Sequence, residues 1–349
     1  MQIRDLYIQH GATLASDNIP LHFGDLKAEY HAALDSAILL DRSHEGRLEL
    51  SGKDRFELLN RISTNDLMNM KQGESRPTIF TNSNGRIIER AVVFNWTEDS
   101  LLLINGAGRG QFLEKYLRSQ IFFNDDVQMS NLSASHYVFT LHGTKVDDII
   151  THIANTQVNH GFHTTIAGTK TFFGQSKPYH GSHWIVIIPT EFAPAIWQEL
   201  MKIGQQFGLH PAGGLTYNTL RIRSGIAGYG REITDEFIPL EVGLWDEVSF
   251  NKGCYKGQEI IARMDSRERV AKTIVRLDLN VMVQAPADIQ VDGKVIGKLT
   301  SSVVSPEGEI FAIGVIKTTF ANQGQQLNIE GNMASVIELL GTQPDWITF

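Results

Sequence analysis

One cysteine stands in 349 residues, inside the stretch NKGCYKGQEIIAR at 251–263. Gly253 and Gly257 let the backbone turn tightly or pass close to a ligand. From Gly257 onward the residues favour a helix, with Gln258 and Glu259 in its first turn and Arg263 one turn after Glu259. Cys254 then lies just ahead of a helix N-terminus, between Lys252 and Lys256. A positive dipole end and two ammonium groups both favour thiolate over thiol, so this spacing predicts a lowered pKa and a nucleophilic sulfur. The competing reading is a buried structural cysteine, the common fate of free thiols. Polar, cationic, glycine-rich surroundings favour the reactive one. Arg263, Arg267, Arg269 and Lys272 add a basic patch, which a solvated helix end explains equally well.

Other constellations carry less. GAGRGQ at 106–111 lies where a phosphate-binding turn would lie, between a strand pattern and a helix pattern. It lacks the third glycine of G-x-G-x-x-G and an acidic residue downstream, so it reads as a plain tight turn. GKVIGKLT at 293–300 has Leu299 where a P-loop needs Ser or Thr for magnesium. His160 with His163, and His180 with His183, form two H-x-x-H pairs with zinc-ligand spacing, yet no cysteine or close carboxylate accompanies them. They read as solvated strand-edge and turn histidines, and no resident metal is expected. Ser43-His44-Glu45 is no triad, because neighbours in sequence rarely face one another in the geometry required and no G-x-S-x-G elbow exists.

These residues need elements to hold them. The length suggests two or three domains, each able to bury a core. KAEYHAALDSAILLDRS (27–43) begins with helical spacing and runs into an apolar patch, RLELSG (47–52) alternates as a strand does, and KDRFELLNRIS (53–63) is helical again. TNSNGR (81–86) separates two β-rich runs as a hairpin turn would. LLLIN (101–105) then QFLEKYLRS (111–119), and HWIVIIP (183–189) then APAIWQELMKIGQQFG (193–208), read as strand–helix pairs. After residue 270, short β-branched runs broken by Gly, Pro and Asp predict a small all-β domain, a barrel. The expected division is 1–269 and 270–349. Net charge of −8 argues against a general nucleic-acid binder. No apolar run nears the ~20 residues of a membrane helix, and a lone cysteine fits a reducing compartment. A cytoplasmic location is expected.

The cysteine stretch resembles a known family. Lys252-Gly253-Cys254-Tyr255, then Gly257-Gln258-Glu259, then Ala262-Arg263, is similar to the K-G-C-Y-x-G-Q-E signature of YgfZ-type folate-binding proteins, which assist assembly or repair of iron–sulfur enzymes. The rest resembles the wider aminomethyltransferase superfamily, the T protein of the glycine cleavage system. The matching stretches are 19–52, Ser63 to Leu67, the N-x-x-G of Asn82 to Gly85, LRIRSGIAGYGREI (220–233) with Arg221 at the family's arginine position, and IGKLTSS (296–302). The resemblance implies an α+β, three-lobed aminomethyltransferase-like folate-binding fold with a C-terminal antiparallel β-barrel. It also implies tetrahydrofolate or a derivative as cofactor, with Arg221, Lys252, Tyr255, Gln258 and Glu259 as binding residues and Cys254 and Glu89 as reactive ones.

The sequence departs from the transferases at informative places. Glu89 and Arg90 stand where those enzymes carry an Asp-Asp pair, Ile185 where a glutamate recognises the pterin, and Arg223 where L-R-x-E-x-G has its glutamate. One-carbon transfer needs a positioned carboxylate near the reacting nitrogen, and an adjacent arginine would offset part of Glu89's field. Two readings follow. In the first, a folate-binding maturation factor acts through Cys254 on an iron–sulfur scaffold or recipient enzyme, because clusters are normally held by four cysteines and this chain has one. In the second, the chain is a tetrahydrofolate-dependent aminomethyl or methyl transferase with Glu89 in the aspartate's role. A pure interaction module is a third and weaker alternative.

Overall fold

The computed structural model describes residues 2–347. The chain divides into two compact units that no single cut separates. One comprises 1–59, 67–77 and 91–220, the other 60–66, 78–90 and 221–349.

The first unit holds a six-stranded sheet ordered Phe162–Ile166, Thr169–Ser176, Ser182–Pro189, His136–Gly143, Ala37–Asp41, Leu209–Ala212. Its last two strands pair in parallel and the rest antiparallel. The run AILLD is buried at every position, as a central strand covered on both faces must be. Helices Val146–Ala154 and Ala193–Gly204 supply apolar stripes to a core built around Phe139, Phe173, Trp184 and Trp197. A five-stranded sheet orders Ser75–Thr81, Ile87–Phe94, Ser100–Ala107, Glu45–Ser51 and Gln128–Asn131.

In the second unit, Lys272–Leu279 opens a closed six-stranded barrel continued by Ala287–Val291, Lys294–Val304, Ile310–Lys317, Gln326–Ile329 and Asn332–Leu339. Its strand pairs are antiparallel throughout. Its interior is Val275, Leu277, Ile289, Leu299, Ile316, Ile329 and Val336. Closure removes the open edges that such short strands would otherwise present. A second cluster of this unit packs Ile238, Leu240, Trp245, Val248, Tyr255 and Ile261 under the cysteine stretch. No helix among the described residues is long and apolar enough to cross a membrane.

The local patterns predicted from sequence recur as elements. KDRFELLNRIS folds as the helix Arg55–Ile62, QFLEKYLRS as Gly110–Arg118, and the segment after Gly257 as Gln258–Ser266.

Candidate functional site

The motifs scattered through the sequence meet in the second unit. The hairpin turn at Asn82 to Arg86 is closed by the Asn82 side chain, whose Oδ1 accepts the N–H groups of Asn84 at 2.9 Å and Arg86 at 3.1 Å. This Asx geometry is what Asn at a turn start provides. Gly257 sits against that turn in a left-handed conformation, φ +86°. A Cβ there would stand 2.5 Å from the Asn82 carbonyl oxygen and 2.9 Å from the Gly85 Cα. Only glycine fits both the dihedral and the space. Gly253 differs: a Cβ there would meet nothing within 4 Å.

The Ser63-Thr64-Asn65 segment is stitched in from the other side. Thr64, fully buried, donates its hydroxyl to the Glu247 carbonyl at 2.7 Å and accepts the Ile79 N–H at 3.1 Å. Lys252 completes the joint. Its ammonium donates to the carbonyls of Asn60 at 2.5 Å, Ser63 at 2.8 Å and Asn65 at 2.6 Å. These bonds use all three protons of the ammonium and satisfy carbonyls in the last turn of helix Arg55–Ile62 and in the segment that follows it. Burial pulls this lysine down to about 8, with the Asp66 carboxylate opposing. The sequence expectation placed two ammonium groups at the service of the thiol. One of them, Lys252, is instead committed to the backbone carbonyls.

Cys254 is free and exposed, as are Gly253 and Lys256. Tyr255, next in sequence, points the other way into the core at 7% exposure, and that burial raises its hydroxyl's pKa above the usual phenol range. The Lys252 ammonium lies 5.5 Å from the Tyr255 ring centroid. Gln258 Oε1 accepts the Tyr255 N–H at 3.3 Å, fastening the loop to the helix that follows. Glu259 is a surface residue, 84% exposed, paired with Arg263 at 2.7 Å one turn away. Such a pair contributes only a few tenths of a kcal/mol, roughly 0.3–0.5.

Glu89 and Arg90 occupy successive positions of strand Ile87–Phe94, so the pleat sends their side chains to opposite faces. Glu89 is completely buried, and its Oε1 lies 3.3 Å from the Arg90 N–H. The Arg90 guanidinium forms a bidentate pair with Glu247, both bonds 2.7 Å, and the Arg90 N–H also reaches the Tyr229 hydroxyl at 3.2 Å. Arg90 therefore spends its charge on Glu247, and the offset of Glu89's field expected from mere adjacency in sequence is reduced.

Arg221 is buried as well. Its Nη1 donates to the Ile226 carbonyl at 2.9 Å and to Glu232 at 3.2 Å, and its Nη2 to the Ser301 hydroxyl at 3.0 Å. Ser301 in turn donates to the other Glu232 oxygen at 2.7 Å. This closed triangle braces the barrel strand Lys294–Val304. Ile185, where a pterin-recognising glutamate was sought, is packed in an apolar cluster of the first unit with Phe94, Phe172 and Ile187.

Sequence reasoning missed Glu247, Tyr229, Glu232 and Ser301. Tyr229 and Glu232 lie inside the stretch 220–233 already singled out, and Glu247 precedes the cysteine stretch by a few residues. Nothing local marks them as partners of Arg90 and Arg221. The histidine pairs do not assemble: His163 donates to the Trp96 carbonyl, His180 to that of Leu34 and His183 to that of Lys177. Among the described residues no group of three or more His, Cys, Asp or Glu gathers in a way that could hold a metal ion.

The family model described as the GCVT N-terminal domain matches residues 17–252. The chain belongs to that family. Among its relatives are a putative chloroplastic transferase of Arabidopsis thaliana and an aminomethyltransferase of Thermoanaerobacter pseudethanolicus. The former is 27% identical over 94% of this chain and 76% of the relative, and the latter 24% identical over 93% and 91%. The crystal structure of the glycine cleavage system aminomethyltransferase T from Bartonella henselae superposes with a TM-score of 0.85. It covers 97% of this GCVT-family chain and 96% of that one at 20% identity. The fold is thus the mixed α/β aminomethyltransferase-like one, ending in a closed antiparallel barrel.

Proposed function

We propose that this GCVT-family protein is a YgfZ-type factor that binds tetrahydrofolate and assists assembly or repair of iron–sulfur enzymes through Cys254. The observation that carries the reading is the construction around the sulfur. Lys252, Tyr255, Gly257 and Gln258 are each anchored to the unit, while Cys254 alone among them is exposed. A segment braced this firmly around one accessible thiol suits delivery of a nucleophile or a single transient ligand to another protein. Since clusters are normally held by four cysteines, the partner supplies the remainder.

The folate half of the reading rests on the family and on relatives named as aminomethyltransferases. The residues proposed to hold the cofactor fit poorly as direct contacts. Arg221, Lys252 and Gln258 direct polar atoms to protein partners, Tyr255 is packed in the core, and Glu259 is a surface ion pair.

The test is rescue of iron–sulfur enzyme activity in cells lacking the protein. Cys254→Ala is expected to abolish rescue without lowering the melting temperature, and full rescue by that variant defeats the proposal. An aminomethyl transferase is the second reading, favoured by the pairing of Arg90 with Glu247, which reduces that arginine's offset of Glu89's field. Catalytic formation of methylene-tetrahydrofolate from an aminomethyl donor, lost in Glu89→Gln, would replace the first reading with the second.

A further inference from the structure

Residues 341–347, GTQPDWI, carry no motif of their own. In the structure they lie beside the segment that leads to the cysteine, all within the second unit. The two stretches cross at a pair of glycines. Gly243, φ +72°, and Gly341, φ +69°, are both left-handed. A Cβ on Gly243 would stand 2.9 Å from the Gly341 Cα, and one on Gly341 would stand 2.7 Å from the Gly243 Cα. Only bare backbone passes this close. The Thr342 N–H then donates to the Gly243 carbonyl at 2.8 Å, and a bridge pairs Leu244 with Thr342 in parallel.

Beyond the crossing the contact is made by large side chains. Trp346, half-buried, sets its indole edge-on to that of Trp245, with centroids 5.5 Å apart at 83°. The Trp245 ring is itself fixed, its Nε1–H donating to the Leu240 carbonyl at 3.1 Å, and it also meets Phe250 with centroids 5.9 Å apart. Phe250 opens the loop that carries Cys254. Ile347, 7% exposed, joins the cluster that holds Tyr255 and Ile261, and its N–H donates to the Pro344 carbonyl at 3.0 Å, which curls the segment back. The cysteine loop is thus held at its start by Phe250 on Trp245 and at its middle by Tyr255, and residues 346–347 belong to the packing of both anchors. The tip has little else. Gly253 and Cys254 are exposed, and a Cβ on Gly253 would meet nothing within 4 Å. Order at the sulfur comes from its flanks.

We propose that residues 341–347 position the cysteine loop, with Trp346 and Ile347 as positioning residues for Cys254. The proposal rests on the reading of Cys254 as the group that meets a partner protein. Neither side chain has to touch that partner. Each removes freedom from the residues before and beneath the sulfur, so that an exposed thiol is held in one place.

Trp346→Ala, Trp346→Phe and Val336→Ala separate positioning from general stability. Val336 is a barrel-interior residue, 1% exposed and outside the cluster under the cysteine stretch; its truncation should lower the urea midpoint at least as far as Trp346→Ala does. Amide hydrogen exchange of the full chain is followed at Ser249, Tyr255 and Gln258, whose N–H groups donate to the Thr64 carbonyl, the Gln258 side chain and the Tyr255 carbonyl. Trp346→Ala should speed exchange there by about tenfold, while Trp346→Phe, which keeps a ring against Trp245, and Val336→Ala should each change it by less than about threefold. In cells lacking the protein, Trp346→Ala should lower rescue of iron–sulfur enzyme activity several-fold at matched protein level, and Trp346→Phe should restore it. Unchanged exchange in Trp346→Ala, or equal acceleration by Val336→Ala, overturns the positioning role. So does full rescue by Trp346→Ala where Cys254→Ala gives none. Full rescue by Cys254→Ala instead overturns the reading on which the proposal rests, whatever the exchange shows.

Discussion

Lys252→Met separates two accounts of why a lysine precedes the cysteine. In the account read from sequence, its charge favours thiolate, and removing it slows alkylation of Cys254. In the structure its three bonds of 2.5, 2.8 and 2.6 Å hold the Asn60, Ser63 and Asn65 carbonyls. Each hydrogen bond to a charged group contributes about 1.5–3 kcal/mol. The sum is reduced by the cost of drawing the ammonium out of water, the same cost that pulls its pKa to about 8. Methionine keeps the apolar stem and leaves the three acceptors to water or to nothing. A net loss of about 3 kcal/mol is expected, which lowers the melting of a unit this size by roughly 6–12 °C. Urea unfolding followed by far-UV circular dichroism measures the stability, and iodoacetamide kinetics on the folded protein measure the thiol. The alkylation rate should change by less than about twofold, because the sulfur is already exposed and the lost charge was bound elsewhere. Stability within about 0.5 kcal/mol of wild type together with alkylation slowed about tenfold would refute the structural account.

The two glycines of the cysteine stretch should respond differently. Gly257→Ala meets the Asn82 carbonyl at 2.5 Å in a left-handed conformation and should cost about 2–4 kcal/mol, whereas Gly253→Ala should stay within about 0.5 kcal/mol. Urea midpoints of the two variants settle this. Glu247→Gln breaks the bidentate pair with Arg90 and should cost about 3 kcal/mol; a double-mutant cycle with Arg90→Met should recover a coupling above about 1 kcal/mol, and additivity would show the pair to be inert. In the first unit, His142 is buried and stacked on His183 with centroids 4.0 Å apart, and burial, His183 and Arg42 hold its pKa well below the usual value. The unfolded chain thus binds a proton near pH 6.5 that the folded chain refuses. This contribution is intact above that pH and is lost on acidification at up to about 1.4 kcal/mol per pH unit. His142→Phe should flatten the decline between about pH 6.5 and 5, as read from urea midpoints across that range, and an unchanged slope would remove His142 from the account.

Local order was legible because it depends on near neighbours. The period of Arg55–Ile62, the Asn-x-x-Gly turn and the alternating runs of the barrel each announce a geometry within a few residues. The site was legible only as a set of residue types. Lys252 and Lys256 look interchangeable in the sequence, yet one reaches a carbonyl 192 positions away and the other is exposed. Arg90 finds Glu247 at a separation of 157, and Arg221 finds Ser301 at 80. Pairings at such distances are set by how strands and loops stack, which no periodicity records. The meeting of GAGRGQ with Ser43-His44-Glu45 escaped for the same reason. GAGRGQ fails as a dinucleotide motif on its own, and its hydrogen bond to the His44 carbonyl joins residues 64 positions apart.

The pattern of spent charges bears on which reading of the family's chemistry this protein follows. Lys252, Arg90 and Arg221 satisfy internal acceptors, and two of their partners, Glu232 and Glu247, have side chains of 0% and 1% exposure. Buried pairs of this kind are held by their mutual geometry and tolerate little movement, since separating either partner leaves a charge without compensation. A catalytic carboxylate must meet its substrate, and Glu89 at 0% exposure would need an opening of the surrounding structure to do so. Cys254 needs none. Under the proposed function, an exposed sulfur on a loop tied down at Lys252, Tyr255 and Gln258 would meet a partner already ordered, so association would not bear the cost of fixing the loop, which is about 0.5–1.5 kcal/mol for each side chain otherwise immobilised. Loosening that anchorage, as in Lys252→Met, should therefore weaken function with a partner protein while leaving alkylation by a small reagent untouched.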